Sequence, residues 1–147
     1  MSHSLTKVWV HGIFSTKNVI PLIKADFEKE LQNHIKEKLE GDLDCSVIII
    51  YGTEDHIHLL FLLTPNYSMK QIFHDIKGES SHWINQMDFI VPKFAWQVGY
   101  GAFSVSESQA ARVKKYIQNQ KAHHKVETFK EEYSKFLEKH GLLYLNR

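Results

Sequence analysis

With 147 residues, 43% of them hydrophobic and 24% charged, the chain reads as one globular domain over residues 1–147, able to bury a core without disulfides. The single Cys45 excludes an internal disulfide framework and reads as a small buried hydrophobe in a reducing compartment. A net charge of +1 makes no global case for nucleic acid. Met1–Leu5 lacks a leader pattern and no apolar run reaches a membrane span, so a cytoplasmic address without a membrane partner is expected.

There is no internal repeat, low-complexity tract or linker. Leu5–Thr16 is rich in β-branched and aromatic residues and reads as a first strand. Phe27, Leu31, Ile35 and Leu39 recur at helical spacing, and Gly41 is placed just past the helix end. Asp44–Tyr51 is a second strand, Gly52–Asp55 a turn, and His56–Leu63 a third strand, which makes a hairpin. Ser68 and Gln71 open a second helix as a capping box, with Met69, Ile72, Phe73 and Ile76 buried and Gly78 interrupting the pattern. Phe94–Val105 reads as a fourth strand or bulged pair, because Gly99 and Gly101 break it. Ser106 caps a helix running through Gln120, and Glu127–Lys139 forms a last helix closed by Gly141.

The order β-α-β-β-α-β-α-α predicts an α+β fold, the ferredoxin-like split βαβ arrangement. It has an antiparallel sheet with helices on one face, plus C-terminal helices. The other sheet face is expected to be free, a surface that nucleic acid often uses.

Side chains alternate along a strand, so His56 and His58 share a face and can converge on one ion. Asp55 or Glu54 could orient an imidazole from behind. On the helix after Ser106, Arg112, Tyr116 and Gln120 form one stripe, beside an apolar stripe of Ala110, Val113 and Ile117. A tyrosine is a covalent nucleophile only when its electrophile is polarised, since its ordinary pKa is about 10. A cation held by two histidines and the Gln120 oxygen would polarise a phosphodiester, while Arg112 neutralises its charge. A phosphotyrosine stores the bond energy for rejoining, which is what strand transfer needs.

His56-Ile57-His58 resembles the histidine-hydrophobe-histidine signature of the HUH endonucleases. Tyr116-x-x-x-Gln120 resembles the catalytic helix of their single-tyrosine transposase branch, the insertion-sequence two-hundred-like transposases. The segments 10–17, 55–60, 76–81, 116–124 and 129–141 fall in that family's order, so the resemblance covers nearly the whole chain. It implies a DNA-cleaving and strand-transferring enzyme that binds single-stranded hairpin ends, with Tyr116 as nucleophile. The tyrosine becomes linked to a 5′-phosphate, a free 3′-hydroxyl is released, and that hydroxyl later attacks another phosphotyrosine to rejoin the strands. The resemblance further implies Mg²⁺ or Mn²⁺ held by His56, His58 and Gln120, and a homodimer whose sites can be composite, one chain's tyrosine serving the other's histidines.

Lys77, with Ser80 and Ser81, and Lys115, with Lys114, are further candidates for DNA contact, alongside Arg112. His124 extends the tyrosine stripe and competes as a ligand, although with His123 it reads first as solvated or DNA-facing. Gln118, Asn119 and Lys121 are candidate hinge positions. His11, His74, His82 and His140 read as ordinary surface or packing histidines, and Trp9, Trp83 and Trp96 as core aromatics. Two other functions stay open: a domesticated relative that binds or nicks genomic hairpins without transposing, and a non-catalytic nucleic-acid binding module. The second has no need of the histidine–tyrosine–glutamine set.

Overall fold

The computed structural model describes residues 4–142; Met1–His3, part of the segment read for a leader, lie outside the described residues. Four antiparallel strands, β1 (Trp9–Ser15), β2 (Ser46–Gly52), β3 (His56–Leu62) and β4 (Gly101–Val105), lie in the order β2-β3-β1-β4. Helices α1 (Ala25–Glu37) and α2 (Met69–Met87) connect them, which is the split βαβ arrangement. Helices α3 (Ala110–Gln118), α4 (Gln120–His123) and α5 (Phe129–Lys139) follow β4.

The main core lies between the sheet and α1/α2. Val10 and Phe14 of β1 and Ile57, Leu59 and Phe61 of β3 meet Phe27, Leu31 and Ile35 of α1 and Ile72, Phe73 and Ile76 of α2. Gly12 is required here, because a Cβ at that position would stand 2.6 Å from the Phe73 ring. The opposite face is not free. Ile13 and Phe103 pack there against Phe129 and Leu137 of α5, so the C-terminal helices cover the surface expected to be open.

Element ends shift where tertiary partners begin or stop. β1 starts only at Trp9, where pairing with Leu62 and Val105 begins, and Leu5 is exposed. Helix α1 widens into a π turn over Lys38–Asp42 that contains Gly41 instead of stopping before it. Gly78 does not break α2, since it faces open space. Of the expected fourth strand only Gly101–Val105 pairs; Gly99 adopts φ 94°, and the buried Phe94 and Trp96 pack into the α2 side of the core. Trp96 makes a single bridge to Thr16.

Candidate active site and metal centre

The site begins at the β2–β3 turn. Thr53 N donates to His56 O at 3.1 Å, and a Cβ on Gly52 would lie 2.1 Å from that same carbonyl. This tight closure delivers His56 and His58 to one face of β3, each 0% exposed. Behind His56, Nδ1 lies 2.7 Å from Asp55 Oδ1 and 2.9 Å from Thr53 Oγ1, and Thr53 also donates to Asp55. A carboxylate only accepts, so the His56 proton belongs on Nδ1 and the Nε2 lone pair points forward. Behind His58, Nδ1 lies 2.8 Å from Nε2 of His11 on β1.

The C-terminal helices bring the remaining groups. Helix α3 packs beside β2 and β3 through the buried Ile117, and the chain kinks at Asn119 before the single turn of α4. Lys121 anchors that turn, with Nζ 3.0 Å from Gly52 O and 2.6 Å from Glu28 Oε2, 4.7 Å above the Tyr51 ring. Of the three hinge candidates, Asn119 is therefore at a bend and Lys121 is a clamp. The clamp seats Gln120, which is fully buried, with Oε1 2.8 Å from His56 Nε2. Tyr116 and His124 lie one turn to either side. Tyr116 and the histidines that meet here belong to one chain, with the Tyr116 and His58 rings 5.9 Å apart.

Glu132 of α5 closes the cluster. Thr128 and Glu131 form a reciprocal capping box at the α5 N-terminus, and Glu132 lies one residue inside it on the buried face. Its Oε1 lies 3.1 Å from His58 Nε2, 2.8 Å from His124 Nε2 and 3.5 Å from His56 Nε2. Its Oε2 accepts from Gln120 Nε2 at 2.7 Å and from the Tyr116 hydroxyl. Burial alone would raise its pKa, but the hydrogen bond and charge of His58, with donation from Tyr116 and Gln120, hold the carboxyl well below the usual range. Burial, and then the Glu132 charge, push the Tyr116 phenol above its ordinary value. Burial lowers His58 to about 4 and His11 to about 3, against the opposing pull of Glu132.

The donor set fits a divalent cation. Ligand atoms of His56, His58, His124 and Glu132 lie within 4.8 Å of one another. Because the Gln120 amide nitrogen turns to Glu132, its oxygen faces the His56 Nε2 lone pair. Two lone pairs at that separation repel, and either a second ring proton or a cation drawn to both resolves the conflict. Cation binding through His58 Nε2 would likewise require its proton on Nδ1, where His11 Nε2 can accept it. Three imidazoles and one carboxylate are ligands typical of such sites.

The structure brings His56, His58, Gln120 and Tyr116 together, but it leaves the three cationic candidates apart. Arg112 and Lys115 are exposed on α3. Lys77 is half-buried and donates to Gln97 O at 2.7 Å and Gly99 O at 2.5 Å, which uses donors a phosphate would need. Ser80 is buried under Trp96 Nε1, which donates to it at 3.0 Å. Sequence reasoning missed Glu132 and read His11 only as a surface or packing histidine, whereas it is buried, packs on Phe136 and also meets His58; His124, read first as solvated or DNA-facing, is mostly enclosed here. A signal for Glu132 existed: it is a charged residue three after Phe129 and five before Leu137, on the apolar stripe of an amphipathic helix. A cleft of about 950 Å³ opens beside the centre, bordered by Thr53, Asp55, Lys121, His124, Phe129 and Lys130.

Residues 4–120 match the family described as "Transposase IS200 like". No curated protein matches the chain. Among solved structures, a candidate transposase from Deinococcus radiodurans R1 superposes with a TM-score of 0.64 at 21% identity, covering 82% of this chain and 95% of that one. A REP-associated tyrosine transposase bound to a REP hairpin superposes with a TM-score of 0.61 at 13% identity, covering 84% and 72% of the two chains. At these identities the superpositions establish the shared fold, and the family match over most of the sequence establishes descent: the chain belongs to the IS200-like transposase family.

Proposed function

We propose that this transposase binds hairpin-forming single-stranded DNA ends, cleaves them through a 5′-phosphotyrosine at Tyr116, and rejoins strands by the reverse step. The observation that carries the reading is the meeting of the Tyr116 hydroxyl with the His56, His58 and Gln120 donors around one buried carboxylate. Mg²⁺ or Mn²⁺ bound by these residues would supply a Lewis acid for the scissile phosphate. Tyr116 Oη gives up its proton as it attacks phosphorus, the bond from phosphorus to the 3′ oxygen breaks, and that oxygen takes up one proton and leaves as a 3′-hydroxyl, so the step is proton-neutral. Attack of a 3′-hydroxyl on the phosphotyrosine restores a phosphodiester and frees the tyrosine.

Arg112 and Lys115, exposed on the nucleophile's helix, are proposed to hold flanking phosphates. The cleft beside His124 is the proposed path for the strand. Likeness to a transposase bound to a REP hairpin supports hairpin DNA as the ligand. Dimerisation is proposed as the means of holding two DNA ends.

The test incubates the protein with labelled single-stranded hairpin DNA and Mn²⁺ and resolves products on a denaturing gel. A covalent adduct should form in the native protein, and Tyr116→Phe should reduce it by about a thousandfold or more. No adduct with any hairpin end, or one that survives Tyr116→Phe, refutes the assignment.

A further inference from the structure

Glu132 is the carboxylate on which the centre converges, and its two oxygens face different groups. Oε1 is turned to His58, His124 and His56, the imidazoles of the cation site. Oε2 is turned to the Tyr116 hydroxyl and to the Gln120 amide. The side chain is 2% exposed, so it has no access to bulk water as an alternative partner. Holding a charged side chain at such depth is costly unless its hydrogen bonds are complete. Here two donors, the Tyr116 hydroxyl and the Gln120 amide, meet Oε2, and imidazole nitrogens of His58 and His124 approach Oε1 to 3.1 and 2.8 Å.

The α5 backbone explains why the bridge is stiff. The capping box at Thr128 and Glu131 fixes the first turn, while Phe129 and Leu137 lock the helix against Ile13 and Phe103 of the sheet. Tyr116 comes from α3 and the histidines from β3 and the residue just past α4, so Glu132 is the common partner that ties the nucleophile's helix to the metal strand.

We propose that Glu132 couples the two halves of the centre, serving as a cation ligand through Oε1 and as the positioning residue for the Tyr116 hydroxyl through Oε2. This rests on the reading of Tyr116 as the nucleophile. The coupling makes cation occupancy and nucleophile geometry depend on one side chain. Replacing it should therefore injure both, beyond what restoring the metal can repair.

The experiment compares the native protein with Glu132→Gln in three measurements. Mn²⁺ affinity is read from the EPR signal of the free ion. The Tyr116 hydroxyl is read as a downfield, exchange-protected proton resonance, assigned by its loss in Tyr116→Phe. Adduct formation is read at saturating Mn²⁺. Glu132→Gln should weaken Mn²⁺ binding tenfold or more, move the hydroxyl resonance upfield or abolish it, and leave cleavage down at least tenfold at saturation. His124→Ala should keep the hydroxyl resonance, because His124 touches only Oε1. Mn²⁺ affinity within twofold of native, or an unmoved resonance, overturns the proposal. If Glu132→Gln fails to fold in a urea melt, Glu132→Asp replaces it. One methylene shorter, it should lose one contact, and retention of both refutes the bridge. A native protein that makes no adduct, yet shows both spectroscopic effects in the variant, refutes the phosphotyrosine reading and leaves the bridge standing.

Discussion

The two faces of one sheet are built on opposite physical terms. Toward α1 and α2, β3 presents Ile57, Leu59 and Phe61 to an apolar layer of interlocking rings, with Phe73 stacked on Tyr100 at 4.2 Å. Toward α3–α5 the same strand presents His56 and His58, with His11 beside them on β1, against Gln120, Tyr116 and Glu132. Both faces exclude water. The first is stabilised mainly by that exclusion, whereas the second adds hydrogen bonds among buried polar groups to the apolar contacts of Phe129 and Leu137. The lesson is a division of labour within seven residues: the apolar face sets the position of β3, and the polar face can then hold groups whose mutual arrangement would be unfavourable on a softer support.

Neighbouring substitutions on β3 separate the faces most sharply. Leu59→Ala should cost about 2–5 kcal/mol in urea unfolding, with Mn²⁺ affinity of the folded protein little changed. His58→Ala should lower Mn²⁺ affinity at least 10–100-fold while moving the urea midpoint less than Leu59→Ala does. Equal losses of stability with unaffected Mn²⁺ binding would show the histidine to be mere core filling.

Acid should break the polar face while sparing the apolar one. Without metal, His11 and His58 are neutral in the folded chain, with pKa values lowered to about 3 and about 4 from an ordinary 6.5. Above about pH 6.5 their stabilising effect is fully present. As pH falls further, the unfolded rings take up protons that the folded rings refuse, and stability drops. The slope approaches about 1.4 kcal/mol per pH unit for each ring. Urea melts in EDTA between pH 7 and 4 should show the midpoint falling, and a flat midpoint would contradict the buried neutral pair.

The smallest expected effect lies outside both layers. Lys115 is exposed on α3, so Lys115→Ala should change stability by no more than about 0.5 kcal/mol. If it holds a phosphate, hairpin affinity should fall and the logarithmic salt dependence should shrink by about one. An unchanged salt slope would remove Lys115 from the DNA surface.

Much of this was legible in the residue order, for local reasons. Alternation placed His56 and His58 on one face, and the four-residue interval placed Tyr116 and Gln120 on neighbouring turns. The ferredoxin-like order followed from the hydrophobic periods. The extent of β4 was not legible, because Phe94 and Trp96 look like strand residues wherever they are, and only the tertiary structure shows Trp96 limited to one bridge with Thr16 while both rings pack in the core. Lys77 carries a charge that reads as a DNA contact, yet the carbonyls of Gln97 and Gly99, twenty or more residues away, claim it.

The sequence by itself therefore determined the fold's order, the paired histidines and the tyrosine–glutamine helix, all of which depend on spacings of two to four residues. Only the tertiary structure decided that the second sheet face is covered, that His11 backs His58, and that Glu132 joins the Tyr116 hydroxyl to the histidine cluster. Those contacts span 47 residues from His11 to His58 and 74 from His58 to Glu132. No local period encodes such distances; they arise when burial of Phe129 and Leu137 presses α5 onto the sheet and the carboxylate it carries must find its partners there.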